Sequence, residues 1–237
     1  MKLCTTLLAF LFTLPALAQQ TIINDPNTQQ RNVGSFTSIR ASGGFEIFLT
    51  QGTQNALAVS GADHEITDAI QAEVQGGVLT LSMKGNWMAR RPFNKTLRAY
   101  ISVNKLELLE ASGACEYKIT GQIHSENLLV KLSGASEIQG PLEANNLSLD
   151  LGGASVAKIS GTVQNLKITA RGASDIKDYD LQTDNCIADI GGASDVRVTV
   201  HKSLVAQARG ASTLFYHGNP ERTDISSSGA SSVSARN

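Results

Sequence analysis

The feature that most constrains this chain is a tripeptide, Gly-Ala-Ser, that returns at a nearly fixed interval. It stands at Gly134-Ala135-Ser136, Gly153-Ala154-Ser155, Gly172-Ala173-Ser174, Gly192-Ala193-Ser194, Gly210-Ala211-Ser212 and Gly229-Ala230-Ser231. A variant, Gly113-Ala114-Cys115, precedes them, and the steps between successive glycines are 21, 19, 19, 20, 18 and 19 residues. A period of this length marks a solenoid, in which each unit buries its apolar face only by stacking on the next.

Alignment on the glycine brings out columns. Two residues before it stand Leu132, Leu151, Ala170, Ile190 and Ala208; four before, Val130, Leu149, Ile168, Ala188 and Ala206; six before, Leu128, Leu147, Leu166, Cys186 and Leu204. Polar residues fill the column three before: Lys131, Asp150, Thr169, Asp189 and Gln207. Apolar residues at every second position describe a strand with one buried face. Four after the glycine a second apolar column runs Tyr117, Ile138, Ala157, Ile176, Val196, Leu214 and Val233, with Val156 competing with Ala157 for its place. Two or three short strands per repeat with glycine corners predict a right-handed parallel β-helix, an all-β fold. Helical repeats are excluded because the apolar spacing is 2, not 3.6. Six steps of the repeat at the strand spacing give a rod of about 29 Å.

Residues 1–18 read as a signal peptide: Lys2, an apolar run from Leu7 to Leu17, and an Ala16-Leu17-Ala18 cleavage site. That run is too short to span a membrane. Loss of Lys2 takes the formal charge from −1 to −2, a near-neutral balance that argues against nucleic-acid or anionic-membrane partners. Residues 19–34 are polar and aperiodic and are expected to form a flexible leader. Residues 35–237 then form a single β-helix domain, regular over 111–237. Over 35–110 the rungs are irregular and wider and serve as an N-terminal cap, with strands at Ala56–Val59 and Gly77–Met83. A short helix is predicted over His64–Ile70 with Asp63 as its N-cap. The stretch Ala41-Ser42-Gly43-Gly44-Phe45-Glu46-Ile47-Phe48-Leu49-Thr50 parallels Ala111 to Thr120, which puts both on one wall of the solenoid.

These residues carry a resemblance. Phe36-x-x-Ile39-x-Ala41-Ser42-Gly43, Phe45-Glu46-Ile47-Phe48-Leu49-x-Gln51-Gly52, Ala58-Val59-x-Gly61, Gly77-x-Leu79-x-Leu81 and the Gly-Ala-Ser series together resemble the head GIN domain family across about residues 35–231. Its members are exported bacterial proteins described as autotransporter adhesins. The resemblance implies a β-helical fold and a place in the periplasm, on the outer-membrane surface or outside the cell. It brings no catalytic residues.

Few side chains suggest chemistry. Asp175 and Asp195 share a column with Glu116 and Glu137, three after the glycine, and fall on adjacent rungs. Such a pair is the weak candidate for a metal, or for the acid pair of a glycan-cleaving enzyme. A solvated acidic ladder is the favoured reading, because no third ligand joins them. His64, His124, His201 and His217 show no metal-ligand spacing. Cys115 takes a corner serine position and Cys186 an inward column, more than three rungs apart, so no disulfide is expected. The inserted loop 85–95 holds the only Trp, Trp87, with Arg90, Arg91 and Phe93. It is either a ligand-binding loop, which its aromatic and arginine content suits, or a flap over the first rungs.

The functional expectation is an exported, non-enzymatic binding or adhesion module that presents strand ladders to a glycan or protein, without a cofactor. The alternatives are a carbohydrate-active enzyme on a β-helix and a structural protein that assembles through its ends. The last Gly-Ala-Ser is followed by Val233 alone in the inward column, so a homodimer through a bare C-terminal rung edge is also expected.

Overall fold

The computed structural model describes residues 25–85, 97–177 and 179–236. The strands are β1 (Gln29–Arg31), β2 (Ser38–Gly43), β3 (Phe45–Gln51), β4 (Ala56–Ser60), β5 (Ile70–Gln75), β6 (Val78–Met83), β7 (Leu97–Val103), β8 (Leu108–Gly113) and β9 (Glu116–Ile119). They continue as β10 (Ile123–Leu132), β11 (Glu137–Leu151), β12 (Val156–Ala170), β13 (Asp175–Ile176), β14 (Leu181–Ile190), β15 (Asp195–Gly210), β16 (Thr213–His217), β17 (Arg222–Gly229) and β18 (Ser232–Ala235). One helix, α1 (His64–Ala69), lies between β4 and β5, and Asp63 caps it by accepting from the Ile66 N–H. The strands wind into a β-solenoid of about seven turns.

Each full turn has three sides. In β11 the inward residues are Ile138, then Leu142 and Ala144, then Leu147, Leu149 and Leu151. The alternation slips at Gly140-Pro141 and again at Asn145-Asn146, which marks two bends; Gly-Ala-Ser makes the third. The expected short strands are in fact continuous runs such as the fifteen residues of β11, because parallel ladder bonds persist through the two gentler bends. The Gly-Ala-Ser corner interrupts every turn, and in three turns the first bend does so too, leaving β9 and β10, β13 and β14, and β16 and β17 as separate strands. The predicted columns hold: Leu149, Ile168, Ala188 and Ala206 are in register and buried, as are Leu147, Leu166, Cys186 and Leu204. Ala157 pairs with Ile138 and is buried, so it belongs to the inward column and Val156 to the outward one.

The corner is held by backbone. The N–H of each corner alanine donates to the carbonyl of the preceding rung's glycine: Ala135 to Gly113 at 2.7 Å, Ala154 to Gly134 at 2.7 Å, Ala173 to Gly153 at 2.8 Å and Ala193 to Gly172 at 2.7 Å. The glycines are left-handed, with φ of +74° at Gly153, and a Cβ there would lie 2.5 Å from the Gly134 oxygen. The next serine is buried, yet its hydroxyl is satisfied by the carbonyl three residues back, as in Ser155 to Gly152 at 2.6 Å and Ser174 to Arg171 at 2.9 Å. Cys115 occupies that position and points its thiol at the Ser112 carbonyl, 3.4 Å away.

The predicted parallel between residues 41–50 and 111–120 is a direct pairing: Ala41 opposes Ala111, Gly43 opposes Gly113 and Ile47 opposes Tyr117. Rung order, however, departs from chain order. The first turn laid down, β2 and β3, is sandwiched between β6–β7 on one side and β8–β9 on the other. The N-terminal end is covered by antiparallel additions, β5 on β6 and β4 on β7, with β1 added to β4. Part of the expected loose leader is therefore tied down: Gln29, Gln30 and Arg31 pair with Val59, Ala58 and Leu57. At the other end β17 and β18 pair with β15 and β16, and all eight residues of β17 are exposed.

The stacked corner predicts a difference between two glycines. Gly153→Ala meets both a left-handed backbone and the Gly134 carbonyl and should cost about 3 kcal/mol or more. Gly121 is equally left-handed (φ +79°) but has nothing within 4 Å of an added Cβ, so Gly121→Ala should cost only about 1 kcal/mol. Urea unfolding of the two variants measures this; equal losses would contradict it.

Candidate functional site

The side following the corner carries its charges in two rows. Glu46, Glu116, Glu137, Val156, Asp175 and Asp195 form one; Phe48, Lys118, Gln139, Lys158, Lys177 and Arg197, two residues further along, form the other. Asp175 and Asp195 do sit on adjacent rungs. Each has its own base, Lys177 at 3.6 Å and Arg197 at 3.3 Å. Glu137 pairs with Lys158 at 2.6 Å, and Glu116 with Lys118 at 3.3 Å and Gln139 at 2.7 Å. The acidic column is thus one half of a charge ladder, and among the described residues no three His, Cys, Asp or Glu side chains are placed to hold a metal ion.

The ladder tightens toward the N-terminal end. Glu46 binds both Lys118 and Arg98, and Arg98 reaches on to Asp25 at 3.4 Å. Phe48 stacks on Tyr100 with ring centres 5.1 Å apart, and Lys118 lies over Phe48. Burial alone would raise the Glu46 carboxyl, but the hydrogen bonds from Lys118 and Arg98 outweigh it and hold the group below its ordinary 4.5.

Trp87, Arg90, Arg91 and Phe93 lie outside the described residues. The four histidines are scattered: His64 opens α1, His124 pairs with Glu143 at 2.9 Å, His201 is 3.4 Å from Gln182, and His217 stacks on Tyr179 at 3.6 Å. Cys115 and Cys186 are both free and buried. Burial pushes the Cys186 thiol up to about 12 and raises Cys115 as well, which makes both poor nucleophiles.

The site lies on the remaining side, between the first and second bends. A groove of about 640 Å³ is lined by His124, Glu126, Glu143, Asn145, Gln164 and Asp184, with Ala144 and Val163 on its floor. A second hollow of about 600 Å³, by Thr53, Asn55, Asn104 and Lys105, lies further toward the N-terminal rungs. Gln51 links the two: its amide donates to the carbonyls of Asn104 and His124, both at 3.0 Å, and accepts from the His124 N–H at 2.8 Å. At the second bend, which borders the groove, stands a row of stacked amides. Asn146 donates to Asn127 at 2.8 Å, Asn165 to Asn146 at 2.9 Å and Asn185 to Asn165 at 3.0 Å, and the Ser203 hydroxyl completes the row on Asn185 at 2.8 Å. Reasoning from sequence missed this row. Its signal was present, since Asn127, Asn146, Asn165 and Asn185 each stand seven residues before a repeat glycine.

Stacked amides of this kind stabilise a parallel ladder. They also offer a surface for recognition. An asparagine in the middle of the row spends one N–H and one oxygen lone pair along the axis and keeps one of each for a ligand. The result is a line of donors and acceptors repeating at the strand spacing of about 4.8 Å.

A family of proteins described as "Putative auto-transporter adhesin, head GIN domain" matches residues 35–220. The chain belongs to this family. Among solved structures, the head GIN protein is similar to a putative adhesin from Bacteroides fragilis, with 21% identity, a TM-score of 0.81, and coverage of 88% of this chain and 96% of that one. It is also similar to a putative lipid binding protein from Parabacteroides distasonis (18% identity, TM-score 0.64, 89% and 96% covered) and a putative adhesin from Parabacteroides merdae (14%, 0.62, 89% and 95%). At these identities the likeness shows the shared fold. No curated protein matches the sequence.

The Glu46 network predicts an acid-sensitive end. A carboxyl held below its unfolded value contributes stability above about pH 4.5 and loses it as the pH falls through the depressed folded value. Glu46→Gln should therefore lower Tm at pH 7, and its gap to the parent should close below pH 4.5. A gap that stays constant down to pH 3 would contradict this.

Proposed function

We propose that the protein is an exported, non-enzymatic binding module that takes an extended polar ligand, a glycan, along the groove and the asparagine row. The observation that carries this reading is the row itself: hydrogen-bonding amides repeat rung by rung beside a shallow groove whose lining is polar except for Ala144 and Val163. Sugar hydroxyls are donors and acceptors at a regular spacing, and amides with one free N–H and one free lone pair each complement them. The adhesin descriptions of the family and of two similar structures fit a binding role. Export to the cell envelope follows from the signal pattern of residues 1–18.

The three carboxylates of the groove favour a second reading, a carbohydrate-active enzyme. Against it, each already has a side-chain partner: Glu126 accepts from Asn145 at 2.8 Å, Glu143 pairs with His124 at 2.9 Å, and Asp184 pairs with Lys202 at 2.7 Å. A glycan array on the purified protein, followed by calorimetry on the best oligosaccharide, separates the readings. Binding should occur without change of the sugar by mass spectrometry, and Asn146→Ala with Asn165→Ala should weaken it by about tenfold, the loss of one or two hydrogen bonds. Unchanged affinity in that variant would remove the groove reading. Turnover abolished by Glu143→Gln would replace it with the enzyme.

A further inference from the structure

The side that precedes the Gly-Ala-Ser corner shows a different arrangement. Its outward charges are matched singly near the N-terminal end, as in Arg40 with Glu110 at 2.9 Å. On β14 the matching fails. Asp189 is shared by two arginines, Arg171 at 3.2 Å, just past the end of β12, and Arg209 at 2.8 Å, on β15. This trio carries two positive charges against one negative. The shared glutamate on the other side contrasts with it: Asp25, Glu46 and Glu116 there face two bases, Arg98 and Lys118.

The geometry leaves the arginines open. Arg171 and Arg209 stand in one outward row with Gly191 between them, their backbones two strand spacings or roughly 10 Å apart. An added Cβ at Gly191 would meet nothing within 4 Å, so the space above it is clear. Arg171 commits one nitrogen to Asp189; Arg209 commits one to Asp189 and one to Gln207 at 2.7 Å. Each guanidinium has five N–H donors, so most of them face solvent, and the side chains are 62% and 54% exposed. Both guanidinium groups are tethered to the one Asp189 carboxylate with most of their donors unspent, an arrangement suited to an oxyanion bridging them.

An apolar contact lies beside the clamp. Ile187, two residues before Asp189 and outward on the same strand, is 56% exposed, and only Ile225 joins it among exposed large hydrophobics of the described residues. Lys167 and Val205 flank Ile187 on the neighbouring strands. Other acids stand further off: Asp150 pairs beyond Thr169, and Asp224 beyond Val205. An oxyanion site next to a small apolar ledge, on a flat wall, matches a sugar unit that bears a carboxylate or sulfate, with its ring C–H face on Ile187. A lipid would require a deep apolar cavity for its chain.

We propose that Arg171 and Arg209, spaced by Asp189 over Gly191 and flanked by Ile187, form a binding site for acidic sugar units of a polysaccharide. This site lies on a different side of the rod from the groove and goes beyond the reading given for it.

The test is calorimetric titration of the purified protein with four probes: an oligogalacturonate, a chondroitin sulfate oligosaccharide, a neutral xylo-oligosaccharide of the same length, and phosphatidylglycerol vesicles. One or both acidic oligosaccharides should bind more tightly than the neutral one, and salt should weaken that binding. The preferred probe distinguishes carboxylate from sulfate as the group held. Arg171→Gln with Arg209→Gln should lose at least about tenfold, as expected for charge-assisted hydrogen bonds. Asp189→Asn should retain or strengthen binding, because it removes the competing carboxylate. Asn146→Ala with Asn165→Ala, which alters the groove, should leave this binding unchanged and so separates failure of one site from failure of the other. The substituted arginines and asparagines are exposed and Asp189 is half-buried, and melting curves confirm that the variants fold. Equal affinity for neutral and acidic sugars, no loss in the double arginine variant, binding to vesicles alone, or no binding would each overturn the proposal.

Discussion

Everything in this rod depends on one backbone contact, the approach of a corner glycine to the glycine of the rung before it. The alanine N–H that follows the glycine reaches that carbonyl at 2.7–2.8 Å in every Gly-Ala-Ser corner. A Cβ on the corner glycine would collide with the preceding glycine's carbonyl oxygen, 2.5 Å away at Gly153, and the left-handed backbone excludes most side chains even where space exists. The serine then follows from burial. It must be small, and its hydroxyl must find a partner inside the coil, which the carbonyl three residues back supplies. With the corner fixed, the alternation on either side of it is set in phase, and the apolar columns meet in the interior without further instruction.

A fold specified from within leaves its outer surfaces free to vary. One side spends its charges on itself: acidic and basic rows interlock, and the tightest knot, around Glu46, sits where β2 and β3 are clamped between neighbouring rungs. The groove side spends its polarity differently. Its asparagines are joined along the axis and open to the side, so the same residues hold the stack and face outward. The third side adds the arginine pair on Asp189. Repetition makes such surfaces possible, since a single residue type at one position in the repeat becomes a line of equivalent groups.

The sequence disclosed the parts that repeat. The inward columns, the glycine corners, the capped helix at His64 and the kinship of residues 41–50 with 111–120 were all readable, because each is a local pattern with a physical cause. The order of the first rungs was not. Nothing in the residues of β2 and β3 tells that the chain passes outward to β6 and β7 before returning, since all of these strands show the same alternation. The ordering of Gln29 to Arg31 was hidden for a similar reason: a polar edge strand gains its structure from the partner β4, and its own side chains carry no pattern. The asparagine row was legible but overlooked, because attention to apolar columns and titratable groups passes over a neutral amide. Asp175 and Asp195 were placed correctly in sequence and space, yet their partners Lys177 and Arg197 decide their character, and those stand two residues further along.

Amide hydrogen exchange at the corners tests the account most directly. If the glycine contact organises the rod, the N–H groups of Ala135, Ala154, Ala173 and Ala193 should be among the slowest in the protein. They should open only with global unfolding and share one free energy across the four rungs. Corner amides that exchange as fast as those of the exposed bends, while the apolar strands stay protected, would contradict it: the columns alone would then hold the stack, and the Gly-Ala-Ser repeat would be a consequence of the winding and not its cause.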